Sequence, residues 1–168
     1  YYSLELKVDV DLCNKLLLKR IHQLINKTNQ FNLTTRRYSI SEVQKLCDNS
    51  SFNVYAINVK DKFGDNGVTG VVIVKEDDDR WVIDTFLLSC RVLGRHIEIA
   101  VLSFILTEAK LNNINEIYGE YIKSDKNIQV KDLYHDNAFE YKDNYWVLRT
   151  KEEIVSPKWI CLNGINCG

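Results

Sequence analysis

The stretch that decides the fold is Ile83–His96, which reads IDTFLLSCRVLGRH. Its first residues are mostly apolar and predict a buried strand, whereas its last residues predict a short loop that opens a long apolar helix. Backbone N–H groups in such a loop, together with the helix dipole, are able to hold a phosphate or pyrophosphate. An ordinary strand-to-helix connection explains the same residues, because the single glycine of the loop, Gly94, is a weak signal.

The elements predicted around this junction indicate one α/β domain without repeats or linkers. Helices are predicted at 12–25, 39–47, 95–111 and 126–136, and strands at 52–60, 68–75, 81–88, 114–122, 140–150 and 159–162. Ser39 and Glu42 have the spacing of a capping box. Gly64–Gly67 has the composition of a hairpin turn. Asp9 and Asp11 are interpreted as an acidic pair at the start of the first helix.

Composition limits the kind of protein that the chain can be. Its 168 residues carry a net charge of −1, so neither nucleic acid nor a membrane is expected as a partner. Five cysteines, an odd number without C-x-x-C spacing, argue against a zinc site and a disulfide framework. We therefore predict no metal site and a reducing compartment, the cytoplasm. The single domain is expected to span residues 1–168 and, since it begins without Met, to be a fragment.

Two motifs carry a resemblance to a known family. The loop Arg91-Val92-Leu93-Gly94-Arg95-His96 resembles the Q/R-x-x-G-x-G/A loop of GNAT acyltransferases, whose backbone amides hold the pyrophosphate of coenzyme A. Asn127, Tyr134 and Ala138-Phe139 resemble that family's N…(A)…Y…GF segment. The resemblance implies a GNAT fold, with a mixed, mostly antiparallel central sheet and helices on both faces. The sequence departs from the family pattern at His96 and at Ala138.

The resemblance also implies where a cofactor lies. Coenzyme A or acyl-CoA is expected, or alternatively the phosphopantetheine arm of a carrier protein, which shares the same pantetheine. The thioester is expected to lie along the strand that ends near Phe86 and Leu88, and to pair with its backbone like an added strand. The loop 91–96 would hold the pyrophosphate. Asn127 is predicted to be an N-cap at the start of the helix 126–136.

Three side chains are candidates for catalysis. Tyr134 resembles the family tyrosine that protonates the leaving thiolate, although a tyrosine near an apolar face is commonly a core residue. Asp84 and Glu120, on neighbouring predicted strands, are candidate bases for the acceptor. Asp84 is equally consistent with a structural ion pair to Arg36, Arg37 or Arg91. At Cys90 a packed thiol is favoured over a covalent acyl-cysteine.

A longer resemblance covers nearly the whole chain. The segments Gln23–Tyr38, Asp61–Gly67, Asp84–Arg95 and Gly119–Tyr121 resemble the C-terminal region of FkbH-like proteins. In that family a HAD-like domain precedes this one and loads a glyceryl unit onto an acyl carrier protein. The resemblance implies that both the HAD-like domain and the carrier protein are partners. It leaves two functions open, an acyltransferase with an unknown acceptor and a non-catalytic module that binds pantetheine or the carrier protein.

Overall fold

The structure is a computed structural model that describes residues 5–164. It contains three α-helices, which are α1 (Leu18–Lys27), α2 (Ile40–Asp48) and α3 (Ile97–Leu111). The strands are β1 (Leu6–Leu12), β2 (Phe31–Asn32), β3 (Phe52–Asp61), β4 (Gly64–Asp77), β5 (Arg80–Leu88), β6 (Glu116–Gly119), β7 (Glu140–Lys142), β8 (Tyr145–Arg149) and β9 (Ile160–Leu162). None of the helices in this part of the chain is long and apolar enough to cross a membrane.

All nine strands belong to one mixed sheet, in the order β7-β8-β6-β5-β4-β3-β1-β9, with β2 paired to β5 outside this order. Most neighbours are antiparallel, and the parallel pairs are β5 with β6 and β1 with β9. The antiparallel meander of β3, β4 and β5 forms the centre of the sheet, where apolar residues alternate between the two faces. The chain leaves β5 at Leu88 and enters α3 at Ile97, so the predicted cofactor loop Cys90–His96 lies at the end of β5.

Helices cover both faces of the sheet, as predicted. α3 packs on one face through Ile97, Ala100, Val101 and Ile105, and its broad apolar surface explains its continuous hydrophobic sequence. α1 and α2 pack on the opposite face through a second cluster that includes Ile21, Leu24 and Val43. The predicted capping box of α2 is also confirmed, with the side chains of Ser39 and Glu42 each bonded to the other residue's backbone N–H.

The prediction for the start of the chain is wrong. Asp9 and Asp11 lie in β1, which pairs antiparallel with β3, and not at the start of a helix. Leu6, Val8 and Val10 are buried and alternate with Lys7, Asp9 and Asp11, which are not, as in a half-buried strand. The helix begins at Leu18, six residues after the end of β1 at Leu12.

Three other boundaries differ from the predictions. The first hairpin turns at Lys62 and Phe63, ahead of Gly64–Gly67, because the carboxylate of Asp61 accepts the N–H of Phe63 at 2.8 Å and tightens the turn there. The strand predicted at 114–122 is shorter in the structure and spans only Glu116–Gly119. The helix predicted at 126–136 is two short 3-10 turns, Ile128–Val130 and His135–Asn137.

The structure also corrects two of the predictions about the cysteines. Cys13, Cys47 and Cys90 are free thiols. Cys161 is disulfide-bonded, so the argument against disulfides from the odd cysteine number is wrong for this residue. Cys90 is exposed, and the prediction of a packed thiol there is wrong as well.

Candidate functional site

The candidate site lies where β5 and β6 separate. The two strands pair in parallel from Arg80 with Glu116 to Ile83 with Gly119, and no further. Beyond these residues β5 continues for five more positions, to Leu88, beside a chain that has left the sheet. A gap therefore opens at the carboxyl ends of two parallel strands, the position at which open α/β sheets commonly bind ligands.

The protein's own chain fills this gap. β2 pairs antiparallel with the end of β5, Phe31 opposite Leu88 and Asn32 opposite Leu87. Leu33 then donates its N–H to the carbonyl oxygen of Phe86 at 3.0 Å. The prediction that a thioester adds to the backbone of Phe86 and Leu88 is thus wrong for this conformation, because a segment of the chain already pairs there.

The opposite side of the gap is closed by the same segment. The carbonyl oxygen of Leu33 accepts the N–H of Ile122 at 2.8 Å, and the carbonyl of Asn32 accepts the amide of Asn127 at 2.9 Å. Phe31, Asn32, Leu33 and Thr34 are all buried. The segment thus bridges β5 to the chain that follows β6.

The loop Cys90–His96 leads from β5 into α3. It opens with a short 3-10 turn at Cys90–Val92, stabilised by the hydroxyl of Ser89, which accepts the N–H of Arg91 at 3.4 Å. Gly94 then takes a φ of +78°, and nothing lies within 4 Å of the position that a Cβ would occupy. Gly94 is therefore required for its backbone conformation and not for close packing.

The geometry of this loop suits an anion. Gly94 and His96 both have positive φ, and α3 begins at Ile97 without a side-chain cap at its N-terminus. Within the described chain, the N–H groups of Gly94 and Arg95 donate no hydrogen bond. Such N–H groups, with the positive end of a helix dipole, form the usual protein site for a phosphate group.

The residues predicted to bind a cofactor differ in their burial and in their contacts. Phe86, Leu88 and Val92 are buried in the core, and the backbones of Phe86 and Leu88 already pair with Leu33 and Phe31. Within the loop, Arg91 is exposed and Leu93 is half-buried. Arg95 pairs with the carboxylate of Asp61 at 2.9 Å. His96 packs edge-on against Trp159, with 6.0 Å between ring centroids.

Both candidate bases bind one arginine. Arg36 donates to Asp84 Oδ1 at 3.0 Å, and to the two carboxylate oxygens of Glu120 at 3.1 and 2.6 Å. The other oxygen of Asp84 accepts the hydroxyls of Tyr38 and Thr85, each at 2.8 Å. Of the alternatives left open by the sequence, the structure therefore shows the ion pair with Arg36 for Asp84. Base chemistry by either carboxylate requires that this ion pair opens.

The electrostatics of this cluster follow from the contacts. The hydrogen bond to Glu120, with the charges of both carboxylates, raises the pKa of Arg36 against the opposing effect of burial. Burial and the hydrogen bond to Asp84 raise the pKa of Tyr38. Both groups therefore stay protonated at neutral pH. Tyr38 was not identified from the sequence, because it is distant in the chain from Asp84.

Tyr134 lies against β6 and is buried. Its ring stacks on Gly119 so closely that a Cβ on Gly119 would lie 2.6 Å from the ring, and it also packs on Phe139 with centroids 4.9 Å apart. Its hydroxyl is buried and has no hydrogen-bond partner in the described chain. Burial, with a smaller contribution from Glu120, raises the pKa of Tyr134, so the hydroxyl is protonated at neutral pH.

The side chain of Asn127 holds three backbone groups together through hydrogen bonds. It was predicted to cap a helix, yet it makes no such cap, and it is fully buried. Its amide nitrogen donates to the carbonyls of Asn32 and Ile122, and its oxygen accepts from the N–H of Ser124 at 2.8 Å. Because these bonds use its amide, the side chain of Asn127 is not available to a cofactor.

The two departures from the family pattern share one property. His96 has a φ of +61° and Ala138 a φ of +72°, both in the left-handed region that favours glycine. The backbone thus has a glycine-like conformation at both positions, where the family motifs have glycine or alanine at 96 and glycine at 138, although the side chains differ. This agreement supports the residue matching on which the resemblance rests.

The fold is that of the GNAT acyltransferases. The chain is similar to an aminoglycoside acetyltransferase solved with coenzyme A, at 15% identity and TM-score 0.62 over 86% of this chain and 95% of that one. It is similar to a Vibrio cholerae spermidine N-acetyltransferase solved with coenzyme A and spermine, at 15% identity and TM-score 0.62 over 84% and 92%. A Staphylococcus aureus GNAT acetyltransferase aligns at 12% identity and TM-score 0.63 over 85% and 99%.

Sequence comparison adds no closer relative. No family model matches the chain, and no curated protein matches it either. Identities at this level show the fold alone, so the resemblance to FkbH-like proteins and the partners that it implies stay predictions.

Proposed function

We propose that this domain is a GNAT-type acyltransferase that uses the thioester of coenzyme A, or of a carrier protein, as acyl donor. The observation that carries the proposal is the loop Cys90–His96, where Gly94 and His96 take left-handed backbone conformations directly before the start of α3, which has no side-chain cap. The phosphate groups attached to a pantetheine thioester would accept hydrogen bonds from the N–H groups of such a loop. The fold supports the same class of reaction.

The candidate chemistry places Tyr134 at the leaving group. In acyl transfer the acceptor attacks the thioester carbonyl, the carbon–sulfur bond breaks, and the departing thiolate takes a proton. The hydroxyl of Tyr134 is protonated and has no partner in the described chain, so it has a proton available to donate. Asp84 or Glu120 would accept the acceptor's proton after release from Arg36.

A second function is favoured by a specific observation. The segment Phe31–Leu33 fills the gap beside β5, and Arg36 forms ion pairs with both candidate bases. These contacts suit a module that binds a pantetheine arm without transferring its acyl group. Under this alternative the domain would hold an acyl carrier protein for a HAD-like domain of an FkbH-like parent protein.

Calorimetric titration of the domain with acetyl-CoA tests the binding step. Saturable binding of acetyl-CoA supports the first function. Binding of a holo carrier protein without binding of coenzyme A supports the second one, and binding of neither ligand overturns both.

The catalytic step needs a separate measurement. Release of free thiol from acetyl-CoA, measured with a panel of amines and alcohols, reports turnover. Tyr134→Phe should lower kcat at least about tenfold with little change in cofactor affinity, because it removes only a proton donor. Unchanged kcat in this variant removes Tyr134 from the mechanism, and absence of turnover with bound acetyl-CoA favours the non-catalytic module.

A further inference from the structure

The free thiols of Cys13 and Cys47 lie together on the side of the sheet that α1 and α2 cover. Cys13 continues β1 and donates its N–H to the carbonyl oxygen of Val54 in β3 at 2.8 Å. Cys47 lies in the last turn of α2, and the carbonyl of Asn49, just beyond this helix, accepts the N–H of Phe52 at 3.0 Å. Because residues two positions apart on a strand are separated by only about 7 Å, these bonds to β3 hold the backbones around both cysteines close together.

The two cysteine side chains also share one environment. Both are half-buried, both pack against the apolar cluster beneath α1 and α2, and both line a small cavity of about 230 Å³. Cys13 donates its S–H to the carbonyl oxygen of Asn14 at 3.6 Å and is itself the hydrogen-bond partner of the Cys47 thiol. Burial, followed by the hydrogen bond with Cys13, raises the pKa of Cys47 to about 12, so this thiol stays protonated at neutral pH.

We propose that Cys13 and Cys47 are a redox-sensitive pair, which closes to a disulfide on oxidation and restrains the connection that fills the gap beside β5. The chain between the two cysteines contains α1, β2 and Arg36, so the bridge would join both ends of this connection. A cross-link of this kind removes conformational freedom from the loop that it closes. The inference does not depend on the proposed acyl transfer.

A small disulfide such as oxidised glutathione is the oxidant. The thiolate of Cys13 attacks one sulfur of the reagent, the S–S bond breaks, and the first glutathione leaves as a thiolate that takes up a proton. Cys47 then gives up its proton and attacks the sulfur of Cys13, and the second glutathione leaves and takes up a proton. The two protein thiols are thus oxidised to one disulfide, and the reagent is reduced to two molecules of glutathione. Cys13 attacks first because the thiol of Cys47 stays protonated.

The test is oxidation of the whole chain with oxidised glutathione, followed by alkylation of the remaining thiols and mass spectrometry of the peptides. Cys90 is exposed and serves as the internal reference, so the reagent is used at a concentration that modifies Cys90. We expect a linked pair of peptides that contains Cys13 and Cys47. Glutathione retained on both of these cysteines, or modification of Cys90 alone, would overturn the proposal.

Two serine variants are the matched controls. In Cys47→Ser, Cys13 should keep the mixed disulfide with glutathione, because the second thiol is missing. In Cys13→Ser, Cys47 should remain a free thiol, because it stays protonated and has no neighbouring mixed disulfide to attack. A link to a different cysteine in either variant would show that the bridge is not specific to this pair, and would overturn the proposal.

Amide hydrogen exchange measures the restraint of the connection. The Leu33 amide bonds to Phe86, and its exchange should slow at least about threefold when the bridge has formed. The same oxidant should leave this exchange unchanged in Cys13→Ser. Equal exchange of Leu33 in the reduced and in the fully bridged protein would overturn the proposed restraint.

Discussion

Leu33 donates its N–H to the carbonyl oxygen of Phe86 at 3.0 Å, and its own carbonyl accepts the N–H of Ile122 at 2.8 Å. These two bonds place a residue from the α1–α2 connection between β5 and the chain that follows β6. The splayed strands that would admit a ligand are thereby closed by the protein itself. Any ligand held at Cys90–His96 must either take another path or displace this segment.

Removal of the arginine between the two candidate bases should destabilise the fold. Arg36→Gln leaves Asp84 and Glu120 facing each other without a cation, and we expect the free energy of unfolding in urea to fall by about 1–3 kcal/mol. The lower part of this range reflects the partial exposure of the pair. Arg91→Gln, at an exposed arginine with no ion pair in the described chain, should change it by less than about 0.5 kcal/mol. Equal effects would contradict a stabilising role for Arg36.

Gly119 should not tolerate a side chain while Tyr134 is present. A Cβ at position 119 would lie 2.6 Å from the Tyr134 ring, so Gly119→Ala is expected to cost about 1–3 kcal/mol in chemical denaturation. In a background of Tyr134→Leu the same substitution should cost clearly less, since the ring is gone. Additive costs in this double-mutant cycle would show that the contact is not the cause.

Tyr38 and Tyr134, two of the tyrosines with a raised pKa, should respond differently to loss of the hydroxyl. The Tyr134 hydroxyl has no hydrogen-bond partner in the described chain, so Tyr134→Phe should leave the free energy of unfolding unchanged or raise it by up to about 1 kcal/mol. Tyr38→Phe removes a 2.8 Å bond to Asp84 and should cost about 1–2 kcal/mol. A large loss of stability in Tyr134→Phe would reveal a partner for that hydroxyl.

Relief of backbone strain at Ala138 should stabilise the protein. Ala138 has a φ of +72°, so Ala138→Gly is expected to raise the free energy of unfolding by about 0.5–1 kcal/mol. The control is Ala109→Gly inside α3, which should lower it by about 1 kcal/mol. Destabilisation by Ala138→Gly would show that the methyl group contributes more through packing than it costs in strain.

The turn at Asp61 should contribute to stability at neutral pH and lose that contribution in acid. The N–H of Phe63, followed by Arg95, lowers the pKa of Asp61. Because the folded-state pKa is lower than that of the unfolded chain, the stabilisation is present above the ordinary carboxyl pKa and is lost as the pH falls through the folded-state value. Unfolding of Asp61→Asn should therefore depend less on pH below about pH 4.

A matched control for this pH profile is Asp132→Asn, at an exposed carboxylate without an ion pair in the described chain. It should keep the acid dependence of the unmodified protein. If Asp61→Asn and the unmodified protein show the same profile, the carboxylate of Asp61 does not carry the effect.

Much of the architecture was predictable because its signals are local. The apolar run of α3, the strands β3 to β5 and the capping box of Ser39 follow from short-range periodicity and spacing. The alternation of Leu6, Val8 and Val10 is typical of a half-buried strand, so the helix start predicted from Asp9 and Asp11 is wrong although a local signal for β1 is present. The 126–136 segment had a helical pattern, yet the buried amide of Asn127 holds the backbone in another arrangement.

By itself, the sequence predicted the helices and most strands of an α/β domain and, through the resemblance of its motifs to those of GNAT acyltransferases, the fold and the position of the loop Cys90–His96, because these signals lie in residues that are neighbours in the chain. Only the tertiary structure decided that Phe31–Leu33 fills the gap beside β5 and that Arg36 holds both Asp84 and Glu120. These contacts join residues that are 48 to 84 positions apart, and their hydrogen bonds depend on how the sheet twists and separates. No local pattern encodes such a pairing, so it is read only from the folded chain.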